Sequence, residues 1–471
     1  MLDRRTLLKS IAATGIGTAV FQRAAAQEGE DKGLTVDSIK NAEWISGVEL
    51  TDEQREEILS SVKSTKRNLE SLRGYTLEHT TAPAIHMQTL APRQAPAVVR
   101  RGMGPTDWTA PELPEEDEDI AFLPVTELSA LIRAKKITST RLTQIYLARL
   151  KKFGPMLRCV VTLTEELALE QAAQADKEIS AGRYRGPLHG IPWGAKDLIA
   201  VPGYPTTWGI PHYETRELKE KATVAARLES AGAVLVAKLS LGALAMGDMW
   251  FRGMTRCPWD ARVGSSGSSA GSASASVAGL VGFSIGSETL GSIISPSRRC
   301  GASGFRPTFG RVSRFGCMPL SWSMDKIGPL CRSIEDCALV FGAIHGADGL
   351  DPTIQDLDFQ WPVRLEPQTL KIGYSKTRRD IKDRSDLRVL RDMGCELVEV
   401  TLPTDVPVRA LTTIIDVEGA SVFDQLLRDG HTDGWNAWDR IFRSAQYVSA
   451  VDYLRYQRVR TDLMNLSLIH I

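Results

Sequence analysis

From residue 264 to residue 274 the chain consists only of glycine, serine and alanine, and it soon runs, without a charged spacer, into Val277-Ala278-Gly279-Leu280-Val281. Small residues let a backbone pass close to other groups and adopt dihedrals that larger side chains forbid. Taken alone, such a run also fits a flexible Gly/Ser linker. A linker does not sit in mid-domain against an apolar segment, however. The run therefore requires a stretch of backbone packed tightly inside a core. The segments around it alternate in type. Residues 223–230 read as a helix, 233–237 as a buried strand and 370–374 as another strand. Upstream, Thr126 can cap a helix through Leu128, Leu131 and Ile132, and a second helix spans about 139–152. Alternation of this kind favours an α/β core with a parallel or mixed sheet.

The 471 residues allow one large domain or two ordinary ones, and 43% apolar residues are enough for a sizeable core. Lys+Arg and Asp+Glu both number 57, so no basic excess points to nucleic acid or an anionic membrane. The seven cysteines are scattered and none forms a C-x-x-C pair, which argues against zinc and redox motifs. Their odd number argues against a full disulfide framework.

Residues 1–26 have the layout of an export signal. Arg4-Arg5-Thr6-Leu7-Leu8-Lys9 precedes an apolar run from Ile11 to Val20, and Ala24-Ala25-Ala26 offers small residues for cleavage. The paired arginines resemble a twin-arginine signal, and the apolar run is too short for a stable membrane anchor. The expected location is periplasmic or extracellular, with a mature chain starting near Gln27. Residues 27–74 read as an appended helical segment, with a capping box at Thr51 and Gln54, apolar Ile58, Leu59, Val62, Leu69 and Leu72, and a stop at Gly74. Residues 75–121 read as a Pro-rich and acidic linker. The main domain is expected over 122–465.

Three segments hold candidate chemistry. The first, Gly190 to Leu198, holds Trp193-Gly194-Ala195-Lys196-Asp197. Burial would strip solvent from Lys196, lower its pKa and make it a neutral base, although most lysines are surface charges. The second is the small-residue run, with Ser268 and Ser269 at its centre. The third is Gly286-Ser287-Glu288-Thr289-Leu290-Gly291-Ser292-Ile293. A tight turn ending in serine presents Oγ beside backbone N–H groups that can hold an oxyanion. It can equally be a structural turn.

In these three elements, and through Cys300–Arg314, Met324–Pro329 and Ser333–Asp336, the sequence resembles the amidase signature family over residues 122 to 464. Lys196, Ser268 and Ser292 are separated by 72 and 24 residues, close to that family's spacing. The resemblance implies an α/β fold with a mixed central sheet covered by helices on both faces. It implies amide hydrolysis by a Ser–cis-Ser–Lys triad. Lys196 takes a proton from Ser268, Ser268 takes one from Ser292, and Ser292 forms an acyl-enzyme that water hydrolyses. The backbone N–H groups of Thr289, Leu290, Gly291 and Ser292 line the oxyanion site, and the peptide bond before Ser268 is cis. Trp193, Ser269 and Met246 are candidate substrate contacts. Together with Trp208, Met249 and Trp250, Trp193 and Met246 fit an apolar acyl pocket or plain core equally well. His189 reads as structural. No cofactor and no metal are expected.

Three positions depart from the family pattern. Leu290 stands where many relatives have Gly, Asp or Asn, and Ala270 replaces a common Gly. Ile294 stands where many have Arg, which weakens a claim to a carboxylate-bearing substrate. Leu466-Ser467-Leu468-Ile469-His470-Ile471 is what CTG TCT CTT ATA CAC ATC encodes, the end of a transposon-derived sequencing adapter. The expectation is that residues 466–471 are an artefactual tail and that a C-terminal part is missing. The expected partner is a small-molecule amide, with no nucleic acid, no membrane after signal cleavage, and a homodimer as the assembly to test. Two other readings compete: a glutaminase (A) subunit-like component of a tRNA-dependent amidotransferase, and a non-catalytic binding protein on the same fold.

Overall fold

The computed structural model describes residues 33–77, 81, 83–85, 108–362, 365–375, 384–401 and 406–470. Residues 1–26, read above as an export signal, much of the Pro-rich stretch and Ile471 lie outside the described residues. In chain order the helices are α1 (Val36–Ser46), α2 (Asp52–Gly74), α3 (Asp117–Phe122), α4 (Val125–Arg133), α5 (Ser139–Leu157), α6 (Glu165–Ser180) and α7 (Thr223–Ser230). They continue with α8 (Ala270–Val277), α9 (Ile294–Cys300), α10 (Ile334–Ile344), α11 (Ser385–Asp392), α12 (Thr413–Arg428), α13 (Trp438–Ala445) and α14 (Ala450–His470). The principal strands are β1 (Val160–Leu163), β2 (Pro192–Lys196), β3 (Val234–Leu239), β4 (Phe283–Glu288), β5 (Ser303–Gly304), β6 (Lys326–Cys331), β7 (Lys371–Ser375) and β8 (Glu396–Val400).

The central sheet has the order β1-β3-β2-β4-β6-β5. Its middle strands β3, β2 and β4 run parallel, and the flanking pairings are antiparallel, so the sheet is mixed. Every residue of β2, β3 and β4 is buried. Successive side chains in a strand point to opposite faces, so unbroken burial means that both faces are covered. The cover comes from apolar helix stripes: Leu147, Leu150, Ala168, Ala172 and Ala275 pack with Val234, Val236, Leu239 and Val281 in one core cluster.

The chain divides into two compact units, and the division cuts across the expected 122–465 domain. One unit takes the described residues between 85 and 406 together with 431–436 and contains the sheet; the other takes the described residues up to 84, 407–430 and those from 437 on. Within the second unit, α1 and α2 are integral parts of a helical cluster rather than an appendage. Thr51 and Gln54 form the expected capping box of α2, and Ile58, Val62 and Leu72 are buried. Ile39, Val48, Leu50, Ile58 and Val62 make its core, with Tyr447 packed against them. Arg73 pairs with Asp452 of α14 at 2.7 Å. Arg455 donates to Leu72 O and Tyr75 O, closing the carboxyl end of α2.

Two local expectations are corrected. The acidic run is not wholly linker: Asp117, Glu118 and Asp119 form the first turn of α3, where negative charge suits the unsatisfied N–H groups of a helix start. Thr126 does not cap α4. It lies inside the first turn, buried, and its N–H donates to Asp336 Oδ1 at 3.1 Å, so the cap is supplied from α10. All seven cysteines are free thiols.

Candidate active site

Lys196 is the last residue of β2, between β3 and β4 at the carboxyl ends of the parallel strands. In open α/β sheets that edge is where ligands bind. Its side chain is fully buried. Burial pushes the amine down to about 7, against the opposing pull of Asp325 and Glu288. Nζ donates to Ser268 Oγ at 2.8 Å, Ser287 Oγ at 2.9 Å, Ser269 Oγ at 3.1 Å and Ser287 O at 3.3 Å. None of these neighbours carries charge. Lys238 on β3 is equally buried, yet it meets Asp197 at 2.6 Å.

The small-residue run supplies the next group. The Gly267–Ser268 peptide bond is cis, as the resemblance implied. Glycine is needed at 267 because a Cβ there would lie 1.8 Å from Gly247 O. Asp248 Oδ2 accepts the Ser266 N–H at 2.8 Å and fixes the turn. The run then becomes α8, whose residues 270–276 are all buried. Its serines discharge their hydroxyls onto the sheet, Ser272 to Ile285 O and Ser276 to Leu330 O. This close helix-on-strand contact is what the run of small residues permits.

The third segment leaves β4. Glu288 Oε2 accepts the N–H groups of Ile293 at 2.8 Å and Ile294 at 3.0 Å, so one buried carboxylate pins the start of α9. Gly291 takes φ +85°, which reverses the chain at Ser292. The Ser292 carbonyl accepts the Ser269 N–H at 3.0 Å, tying the two serine loops together. Thr289 Oγ1 donates to Asp325 Oδ1 at 2.5 Å, and Asp325 Oδ2 takes the N–H groups of Leu320 and Ser321. Among the described residues, the N–H groups of Leu290, Gly291 and Ser292 and the hydroxyl of Ser292 donate to no protein acceptor. Ser268 and Ser292 are thus brought to one edge without a hydrogen bond between their hydroxyls. Catalytic contacts in unliganded sites are often loose.

The expected substrate contacts fare differently. Trp193 is not at the site: it sits in β2 three residues from Lys196, on the opposite face, 2% exposed and stacked on Phe283. Ser269 does not face substrate either. It is fully buried, and its Oγ accepts from Lys196 and Ser287 N while donating to Ser287 O. Met246 does lie near, in the loop whose Gly247 abuts Gly267. Trp250 is buried and Met249 exposed. His189 is buried with Nδ1 accepting the Arg185 N–H, a structural role as expected.

Sequence reasoning missed the roles of Ser287, Glu288 and Asp325. Ser287 lies inside the quoted motif, and its strand parity with Ile285 was the available signal. The link from Asp325 to the nucleophile segment gave none, because its partner there, Thr289, is 36 residues away. A cavity of about 260 Å³ adjoins this cluster, lined by Ser287, Thr289, Cys317, Met318, Leu320 and Asp325 among others. No group of metal-ligating side chains occurs among the described residues.

A family model described as Amidase matches residues 141–466. The chain is 36% identical over 299 residues to the glutamyl-tRNA(Gln) amidotransferase A-subunit of Heliobacterium modesticaldum, covering 59% of this chain and 60% of that protein. It thus spans about 60% of that relative's length. With the protein of the same name from Geobacter metallireducens it shares 35% identity over 382 residues, 73% of this chain and 78% of that one. Among solved structures, native peptide amidase from Stenotrophomonas maltophilia superposes with a TM-score of 0.63 at 31% identity, covering 72% of this chain and 78% of that chain.

Proposed function

The chain belongs to the amidase signature family, and from that premise we propose that it is a serine amidohydrolase with Ser292 as nucleophile, Ser268 as relay and Lys196 as base. The observation that carries this reading is Lys196, a fully buried amine held 2.8 Å from Ser268 Oγ among uncharged partners. A neutral amine accepts a proton where an ammonium cannot. In the proposed sequence, Lys196 takes the Ser268 proton as Ser268 takes that of Ser292. Ser292 Oγ bonds to the amide carbonyl carbon, and the oxyanion rests on the backbone N–H groups of Thr289, Leu290, Gly291 and Ser292. The C–N bond breaks as the amine leaves with the proton returned along the relay. Water, activated through the same pair, hydrolyses the ester on Ser292.

Ser269 is not the relay in this scheme. Its proton is committed to Ser287 O, whereas the Ser268 hydroxyl accepts from Lys196 Nζ and donates to no protein acceptor among the described residues, which leaves its proton free to pass to a neutral amine. For substrates we propose small amides, amino-acid amides or peptide amides, met outside the cytoplasm after export on residues 1–26. The likeness to the S. maltophilia peptide amidase supports this class. So does Ile294, which offers hydrocarbon, 46% exposed, two residues after Ser292.

The names of the curated relatives favour a second reading, a glutaminase component working within an amidotransferase. Glutamine hydrolysis above that of simple amides, with a stable partner on co-purification, would select it.

The first test is intact mass after exposure to a fluorophosphonate, with melting curves to establish folding. One adduct on the parent and none on Ser292→Ala is expected. Equal labelling of both proteins would reject Ser292 as the nucleophile.

A further inference from the structure

Residues 431–436 come late in the chain, yet they join the sheet-containing unit. They dock at two places. The His431 ring stacks on His212 with centroids 4.0 Å apart. Asn436 Nδ2 donates to Met246 O at 3.3 Å and to Met249 O at 3.1 Å. Between those two carbonyls lie Gly247 and Asp248, and both touch the loop that carries Ser268. Gly247 O packs so closely on Gly267 that no Cβ fits between them. Asp248 Oδ2 holds the Ser266 N–H at 2.8 Å, and Asp248 O holds the Thr255 N–H at 2.9 Å.

Resting on the proposed triad, we infer that Asn436 is a positioning residue: it clamps the 246–249 loop, and through Gly247 and Asp248 it sets where Ser268 stands between Lys196 and Ser292. One amide group spans two carbonyls, so a single side chain fixes both ends of the loop. The residue type fits the place. Asn436 takes φ +57°, a left-handed conformation that asparagine, aspartate and glycine tolerate better than other residues. Aspartate keeps that backbone preference and nearly the same shape but has no N–H to donate, and glycine keeps the backbone and has no side chain. Because Asn436 bonds to main-chain carbonyls of that loop and to no member of the triad, its loss should alter the rate of the chemical step rather than binding.

The test uses the full chain and a fluorophosphonate probe, with the labelling rate of Ser292 resolved into its maximal rate and half-saturating concentration. Asn436→Asp and Asn436→Gly should each lower the maximal rate roughly ten-fold, the scale on which small misplacements of catalytic groups act. The half-saturating concentration and the melting temperature should stay close to those of the parent. Amide hydrogen exchange at residues 264–268 should quicken in both variants. Parent-like labelling in both folded variants overturns the inference and leaves the triad standing. A folded parent that is not labelled at Ser292 overturns both.

Discussion

Lys196 and Lys238 stand on neighbouring strands, both fully buried, and differ in the partner each meets. Lys238 has the carboxylate of Asp197, itself held by Thr207, so a buried pair of opposite charges results. Lys196 has only hydroxyls and a carbonyl within hydrogen-bond reach, so burial outweighs the more distant pull of Asp325 and Glu288 and brings the amine down to about 7. The sign of the resulting pH dependence follows. Below about 7 Lys196 is protonated and cannot accept from Ser268; above it the amine is free. Under the proposed mechanism kcat/KM should climb as pH rises through about 7 and level off beyond. A profile measured on a simple amide that is flat across that interval would remove Lys196 as the base. At this scale the sequence nominates three residues and is blind to their surroundings. Adjacent serines look alike in sequence, so Ser269 reads as a substrate contact. The backbone turns both hydroxyls toward Lys196, but only that of Ser269 donates onward, to Ser287 O.

Helix α9 illustrates what an element adds. It is short, and its N-cap residue, Ile293, has no polar side chain to cap it. Glu288, at the end of β4, does so instead by accepting two of its first N–H groups, with Arg306 3.6 Å from the other carboxylate oxygen. Charge-assisted bonds of this kind are stronger than neutral ones. Glu288→Gln should therefore cost about 1 kcal/mol of stability and, by loosening the Ser292 turn, lower kcat roughly ten-fold. Melting curves and steady-state rates read both effects, and unchanged kcat in the folded variant would show that the turn is held by other groups. Elements with strong local signals, the capping box of α2, helix α7 and strand β3, fall where the pattern places them. The start of α4 does not, because its cap arrives from Asp336, some 210 residues along the chain, where no local pattern records it.

Across the whole molecule, the division into units is the feature that local patterns conceal. Helices α1 and α2 bury Ile39, Ile58 and Leu72 and cluster with the last helices of the chain. Deleting residues 27–77 should strip that cluster of its partners and expose apolar surface, so the shortened chain is expected to aggregate on expression. Soluble material with the parent's melting temperature would show that the segment is dispensable. Sequence alone determined the family and the α/β class and put forward the three residues of the proposed triad, because these rest on short motifs and on hydrophobic period, both readable along one dimension. Tertiary structure alone decided which lysine is stripped of charge partners, which serine hydroxyl is available, that Trp193 faces away from the site, and that Asn436 reaches the 246–249 loop. Each of those depends on which groups from distant segments share one small volume, and burial and hydrogen-bond direction exist only once that volume is closed.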